Sequence, residues 1–403
     1  MNARAFVWLL APLAALAVLL AYLLRGGAAF LGAPPAPIEK LYFERVTLRS
    51  EEIALHVRNT GPVSLSVGQV LVNDAIWDYS MRPGTTLGRF GAATITLAYP
   101  WEEGQPLAIA LVSSNGIRFE KEIEVAHESP EPGPRSFVFF GLLGVYAGVI
   151  PVFLGLLWYP FLRRLGPSAM HFLLSLTVGL LVFLGVETLS EALEVAERVP
   201  EVYQGVALVF LGVAGTLIVL AAAGSRKRRG ARGRDARASS DAGAPREPDE
   251  AGLLRLSSLI ALGIGLHNLG EGLAIGAAYL LGEAALGVSL LIGFTLHNVT
   301  EGLAILAPIV RSRVSIARLV VLGIVAGVPT IAGAWLGGFA YSEVAALLFL
   351  AIGAGAILQV VFQILRFQSR EGGLVPALTR PAGAIGLAAG FLVMYGTGLL
   401  VSL

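Results

Sequence analysis

The chain has 403 residues, of which 55% are hydrophobic and 14% are charged, and its formal net charge is +1 at pH 7. Soluble domains carry about 25% charged residues, so this composition excludes a soluble globular enzyme, a disordered protein and a fibrous protein. The balanced charge predicts no nucleic acid among the partners. Because the chain has no cysteine, disulfides, thiolate metal sites and cysteine nucleophiles are excluded as well. We therefore expect an integral membrane protein.

The first feature along the chain is an apolar run at residues 5–24, flanked by Arg4 and Arg25. About 20 apolar residues suffice for a helix to cross a bilayer. The run lacks a clear small-x-small cleavage site and is long for a signal peptide, the alternative that we considered. We predict an uncleaved signal-anchor helix within residues 1–33.

The pattern changes between residues 34 and 134. Short apolar or alternating segments such as Ile53-Ala-Leu-His-Val-Arg58 and Thr94-Ile-Thr-Leu-Ala98 are separated by turn residues such as Pro83-Gly84. Strands of this length, with turn signals every 8 to 12 residues, are typical of an all-β sandwich. We expect residues 34–134 to form an extracytoplasmic β-sandwich-like domain.

The remainder, residues 135–403, predicts a mainly α polytopic membrane bundle. Its eight apolar spans lie at about 136–161, 169–193, 203–224, 253–281, 284–310, 317–338, 344–366 and 381–402. The polar insert at 225–250, between the third and fourth spans, is rich in arginine and has nothing to bury, so we predict a disordered basic cytoplasmic loop.

The arginines predict how the protein is oriented in the lipid bilayer of the cell membrane. They concentrate in the loops after the first, third, fifth and seventh spans of the bundle, whereas the alternate loops carry almost none. Because basic loops remain in the cytoplasm, we expect the N-terminus to be cytoplasmic. The β domain and the C-terminus are then extracytoplasmic.

The fourth and fifth spans contain a repeated motif. The two copies, His267-Asn-Leu-Gly-Glu-Gly-Leu-Ala-Ile275 and His297-Asn-Val-Thr-Glu-Gly-Leu-Ala-Ile305, match at seven of nine positions. A histidine and a glutamate four residues apart lie on the same face of a helix. Since the loop that joins these spans is short, we expect an antiparallel hairpin with both His/Glu pairs near the centre of the bilayer.

Two carboxylates at that depth predict a metal site. An ionised carboxylate at the centre of a bilayer costs at least about 2.5 kcal/mol. Imidazole nitrogens with carboxylate and amide oxygens suit Zn²⁺, Fe²⁺, Mn²⁺, Co²⁺ or Cd²⁺ better than copper(I), and the lack of thiolates favours reversible binding. The alternative is that these side chains only form hydrogen bonds across the hairpin.

The paired His-Asn-x-x-Glu-Gly motifs resemble those of the ZIP family of divalent metal-ion transporters, and the resemblance covers about residues 136–403. It implies an eight-helix fold and transport of a divalent metal ion into the cytosol, with Zn²⁺ as the expected ion and Fe²⁺, Mn²⁺ and Cd²⁺ as the alternatives. It also implies alternating access, in which a four-helix unit that holds the metal slides against a scaffold, with no permanent cofactor and no enzymatic activity. The residues that match the family's metal ligands are His267, Asn268, Glu271, His297, Asn298 and Glu301.

The chain departs from the family pattern at three positions. Gly270 and Thr300 stand where the family usually has a proline before each motif glutamate, which leaves local unwinding of the helices open. Val328, beside Pro329, occupies the position at which many members have a metal-bridging glutamate. We therefore expect one metal ion per site.

Further candidates lie outside the motif. Glu187 and Glu191, towards the outer end of the second span, are predicted to line the transport pathway. Gln363 in the seventh span is a candidate on the exit side, and the alternative is that it only forms hydrogen bonds between helices. Gly323-x-x-x-Gly327 and Gly386-x-x-x-Gly390 predict close helix packing, and a homodimer is a hypothesis that rests on them.

Two other functions remain open. The same His/Glu site is compatible with a metal-dependent intramembrane hydrolase, in which the bound metal activates water. A receptor or scaffold in which only the β domain binds is the third hypothesis, although it leaves the two buried His/Glu pairs without a purpose.

Overall fold

The computed structural model describes residues 3–22, 38–123, 125–164, 166–235, 250–281, 284–369 and 373–401. Within these residues, eight helices are long and apolar enough to cross a membrane, and they coincide with the eight predicted spans. This confirms the mainly α membrane bundle with an added β domain. The eight segments are Pro134–Leu162, Ser168–Arg198, Glu201–Ala222, Glu250–Leu280, Leu286–Ile309, Ile316–Ala340, Glu343–Gln368 and Pro381–Leu399.

The helices are numbered in chain order. They are α1 (Ala3–Tyr22), α2 (Pro134–Gly144), α3 (Ile150–Leu156), α4 (Tyr159–Leu162), α5 (Pro167–Arg198), α6 (Gly205–Asp235), α7 (Glu250–Leu280), α8 (Ala284–Leu306), α9 (Ile316–Ala340), α10 (Glu343–Gln368), α11 (Leu374–Thr379) and α12 (Pro381–Val401). The first span of the bundle comprises α2, a π-helical turn at Val145–Val149, α3 and α4. The predicted anchor forms α1, a single helix of 20 residues; that it crosses the membrane stays a prediction.

The β domain is a two-sheet sandwich. Its strands are β1 (Leu41–Arg49), β2 (Glu52–Asn59), β3 (Leu65–Val72), β4 (Ala75–Trp77), β5 (Ser80–Arg82), β6 (Thr86–Leu87), β7 (Ala92–Ala98), β8 (Leu107–Ser113) and β9 (Arg118–Ile123). One sheet has the strand order β1-β2-β7-β5 and the other β4-β3-β8-β9, with β6 paired to β3, and the pairings are antiparallel. Alternate residues of β2 point inwards: Ile53, Leu55 and Val57 are buried against Ile109 and Leu111 of the second sheet.

The prediction of a disordered loop at 225–250 is wrong for its first part. Helix α6 continues through the basic run and ends at Asp235. Arginine, lysine and alanine are good helix formers, and extending a helix that the apolar span has already nucleated costs little. Residues 236–249 lie outside the described residues, and α7 begins at Glu250.

The bundle helices form two groups. In the first group α7 packs against α8 and α9, and α3 packs against α8 and α9. In the second group α5 packs against α6, α10 and α12. The groups meet where α7 contacts α10 and where α8 contacts α12. We call them the motif group (α2, α3, α4, α7, α8 and α9) and the flanking group (α5, α6, α10 and α12).

Glycines allow α7 and α9 to approach backbone to backbone. A β-carbon added at Gly272 would lie 2.0 Å from the carbonyl oxygen of Thr330, and one added at Gly333 would lie 2.1 Å from that of Leu269. No side chain fits at such distances, so α9 is held directly against the motif helix.

The glycines of Gly323-x-x-x-Gly327 and Gly386-x-x-x-Gly390 also contact neighbouring helices of the same chain. A β-carbon at Gly327 would lie 2.9 Å from the α-carbon of Val149, and one at Gly386 would lie 2.4 Å from the carbonyl oxygen of Phe172. These glycines are used inside the bundle and form no free surface, so the homodimer stays a prediction without support from them.

The β domain lies at the end of the bundle where α6 and α10 begin. The Tyr42 hydroxyl donates a hydrogen bond to the carboxylate of Glu343, the first residue of α10. Lys40 forms an ion pair with Glu201, which precedes α6, and the rings of Phe90 and Tyr203 lie 6.5 Å apart.

Candidate metal centre

The two motifs meet inside the bundle, as the hairpin predicts. Three side chains, His267 and Glu271 of α7 and His297 of α8, place one potential ligand atom each within 4.8 Å of the others, and all three are buried. His267 and Glu271 are one helical turn apart, so the same face of α7 presents both. The arrangement brings two imidazoles and a carboxylate to a single point.

Glu271 is at the centre of the cluster. Its Oε1 atom lies 3.1 Å from Nε2 of His267 and 2.5 Å from Nε2 of His297. Its Oε2 atom accepts a hydrogen bond of 2.8 Å from the side-chain amide of Asn298. One carboxylate therefore contacts three of the other motif residues.

The second motif differs from the expected pair. We expected His297 and Glu301 to form a His/Glu pair like that of the first motif, but His297 pairs with Glu271 across the hairpin. Both carboxylate oxygens of Glu301 are buried without a hydrogen-bond partner among the residues that the structure describes. The Asn268 side chain interacts electrostatically with Glu301 but lies outside hydrogen-bonding geometry. Two nearly identical motifs therefore have different surroundings, because each helix has different neighbours.

Four buried oxygens at the motif lack a donor. They are Oδ1 of Asn268, Oδ1 of Asn298 and the two carboxylate oxygens of Glu301. Buried polar atoms are nearly always paired, and an unpaired buried carboxylate costs several kcal/mol. Oxygens of this kind, together with two imidazoles, are ligands that a divalent transition-metal ion takes. The chemistry of these donors suits a metal ion, and the potential ligand atoms that lie together belong to His267, Glu271 and His297.

The neighbouring helices hold the two asparagines through backbone carbonyls. Asn298 donates a bond of 2.9 Å to the carbonyl of Ala147, within the π-helical turn of the first span. In an α-helix this carbonyl would pair with the N–H of residue 151, which is a proline and has none. Asn268 donates a bond of 3.1 Å to the carbonyl of Ala326, three residues before Pro329.

The two motif helices are not unwound at the positions where the family usually has proline. Helix α7 is continuous through Gly270, and α8 is continuous through Thr300. The irregular backbone lies instead in the first span, at the π-helical turn that precedes Pro151. Pro151 follows Ala147 by four residues. From this spacing alone, the sequence could have predicted that the Ala147 carbonyl lacks its usual helical donor.

Sequence reasoning did not identify Thr188 as part of this site. Its hydroxyl oxygen, on α5, lies 3.3 Å from Nδ1 of His267. The residue is buried and directly follows Glu187, but a threonine in an apolar helix carries no signal of such a contact.

The other predicted candidates lie at different distances from the centre. Glu191 is half-buried and interacts electrostatically with His267 and Glu271. Glu187 is exposed on α5 and interacts electrostatically with His297. Gln363 is half-buried on α10.

Comparison of the chain with models of known protein families and with curated proteins finds no match.

Proposed function

We propose that this protein carries divalent transition-metal ions across the cell membrane into the cytosol, in the manner of the ZIP-like transporters that its motifs resemble. The observation that carries the proposal is the buried cluster of His267, Glu271 and His297 beside the unpaired carboxylate of Glu301. An unpaired carboxylate inside a bilayer destabilises the metal-free protein, whereas a bound divalent cation offsets its charge.

The donor chemistry favours Zn²⁺ as the transported ion. Imidazole nitrogen with carboxylate oxygen is a common ligand set for Zn²⁺, and Fe²⁺, Mn²⁺ and Cd²⁺ accept the same donors. The chain has no cysteine, so no thiolate binds the ion too tightly for release. The six ligand candidates are His267, Asn268, Glu271, His297, Asn298 and Glu301.

The two helix groups support alternating access. All six candidates belong to the motif group, while Glu187 and Glu191 lie on α5 in the flanking group. In this proposal the motif group carries the ion and moves against the flanking group. The two glutamates draw cations towards the centre from the side of the β domain, which we assign to the outside of the cell.

The test is uptake of radiolabelled Zn²⁺ into proteoliposomes that contain the purified protein. We expect saturable uptake by the wild type, loss of uptake in the double variant His267→Ala/His297→Ala, and wild-type uptake in His127→Ala. The control removes a histidine that lies in the β domain and contacts Glu103. Absence of uptake for zinc, iron, manganese and cadmium alike would overturn the proposal.

A metal-dependent intramembrane hydrolase is the second candidate, and one observation favours it. Glu301 is an unpaired carboxylate next to a possible three-ligand site, which is where a general base for metal-bound water would lie. A hydrolase would release product from a lipid or peptide without accumulating metal inside the vesicles, so the uptake assay separates the two functions.

A further inference from the structure

Thr188 contacts the metal-site histidine from the flanking group. Its side chain is buried on α5, and its hydroxyl oxygen lies 2.8 Å from the backbone carbonyl oxygen of Leu184 and 3.3 Å from Nδ1 of His267. The opposite ring nitrogen of His267, Nε2, is the one that lies 3.1 Å from Glu271. The hydroxyl and the ligand cluster therefore contact opposite edges of one imidazole.

The donors and acceptors around the Thr188 hydroxyl determine which ring nitrogen of His267 faces it with a proton. A threonine hydroxyl has one proton to donate and two lone pairs that accept. The Leu184 carbonyl can only accept, so it takes the hydroxyl proton. The oxygen of Thr188 is then left as an acceptor for a proton on Nδ1 of His267. In this structure Nε2 presents a proton to the Glu271 carboxylate; a metal ion bound at Nε2 takes the place of that proton, and the neutral ring then keeps its proton on Nδ1.

We propose that Thr188 is a positioning residue that holds His267 in the tautomer and ring orientation required for metal binding through Nε2. The inference rests on the proposed function, because it assumes that the cluster binds a divalent metal ion. Partners of this kind behind a ligating histidine typically change metal affinity by about 10- to 100-fold.

The contact also crosses the boundary between the two helix groups. Thr188 belongs to α5 of the flanking group, whereas His267 belongs to α7 of the motif group. The bond forms only while these helices keep their present register.

The test compares three threonine variants by equilibrium Zn²⁺ binding to the full-length protein in detergent, with a competing chelator. Thr188→Val keeps the shape and removes the acceptor, and we expect it to weaken binding by about 10- to 100-fold. Thr188→Ser restores the hydroxyl and should bind within about threefold of the wild type. Thr177→Val is the matched control, because Thr177 lies on the same helix, is equally buried and makes the same 2.8 Å bond to the carbonyl four residues before it.

A spectroscopic measurement separates positioning from a general loss of structure. Nitrogen spectra of histidine-labelled, zinc-loaded protein should show His267 protonated at Nδ1 in the wild type and in Thr188→Ser. If Thr188→Val does not fold, Thr188→Ala replaces it with the same expectation. Wild-type affinity in a folded Thr188→Val or Thr188→Ala variant would overturn the inference and leave the proposed function intact. A wild-type protein that binds no divalent metal would overturn both.

Discussion

At the scale of single residues, the two motif glutamates are equivalent in sequence and opposite in surroundings. Glu271 contacts two histidines and an amide, while Glu301 is buried without a hydrogen-bond partner. A buried carboxylate without partners destabilises the metal-free fold, whereas a paired one stabilises the groups around it. The two residues should therefore respond differently to the same substitution.

We expect Glu301→Gln to abolish or strongly weaken Zn²⁺ binding and, with a chelator present, to raise the thermal unfolding temperature, because an uncharged amide costs less to bury than an ionisable carboxyl group without a hydrogen-bond partner. Glu271→Gln should also weaken binding, but it should lower the unfolding temperature, since breaking a buried pair costs about 3 to 5 kcal/mol. Thermal unfolding of both variants in detergent measures the difference.

Glu187→Gln is the control for these variants, since its carboxylate is exposed. It should leave the unfolding temperature unchanged. A metal-free Glu301→Gln protein that is less stable than the wild type would show that this carboxylate has a stabilising partner, which would contradict our description of the site.

At the scale of the helices, two glycines on either side of Glu271 have different neighbours. A β-carbon at Gly272 would lie 2.0 Å from the carbonyl oxygen of Thr330 on α9. A β-carbon at Gly270 would meet a Leu350 methyl group at 3.7 Å, which is an ordinary contact. Of these two glycines, only Gly272 lies at the backbone contact between α7 and α9.

Gly272→Ala should therefore push α9 away from α7. We expect this overpacking to lower the free energy of unfolding by about 1 to 3 kcal/mol. It should also weaken zinc binding, because it displaces Glu271. Gly270→Ala is the matched control and should retain both stability and affinity, because alanine is a better helix former and meets no obstacle. Equal effects of the two variants on thermal unfolding and zinc affinity would refute this account of the α7–α9 contact.

At the scale of the whole molecule, the β domain connects the two helix groups. It is followed in the chain by α2 of the motif group, yet its contacts with Glu201, Tyr203 and Glu343 are with the flanking group or the turn before it. Burial, and then the hydrogen bond to Glu343, raise the pKa of Tyr42 well above its usual range. The phenol therefore keeps its proton and remains a donor at physiological pH.

We expect Tyr42→Phe to loosen the β domain from α10 more than Lys40→Ala does. The tyrosine bond is partly buried and involves a charged acceptor, and such bonds contribute about 1.5 to 3 kcal/mol. The side chains of Lys40 and Glu201 are 46% and 87% exposed, so their ion pair is well screened by solvent. Hydrogen exchange of the full-length protein should show faster exchange in β1 and the first turn of α10 for Tyr42→Phe, and the reverse order of the two variants would contradict this assignment.

The amino-acid sequence by itself determined the features that depend on local pattern. Apolar runs of sufficient length specify the eight spans, alternating residues specify strands such as β2, and the four-residue spacing of His267 and Glu271 places both on one face of α7. These features follow from the period of a helix or a strand, so neighbouring residues suffice to predict them. Composition alone failed at 225–235, because it did not account for the helix extending out of the preceding span.

The tertiary structure alone decided which partners each motif residue has. The repeat predicted two equal pairs, but His297 contacts Glu271, Asn298 contacts the carbonyl of Ala147, and His267 contacts Thr188. These partners are 26, 151 and 79 residues away along the chain. Which of them meet depends on how closely the helices approach, and that distance is set by glycine contacts between segments far apart in the sequence.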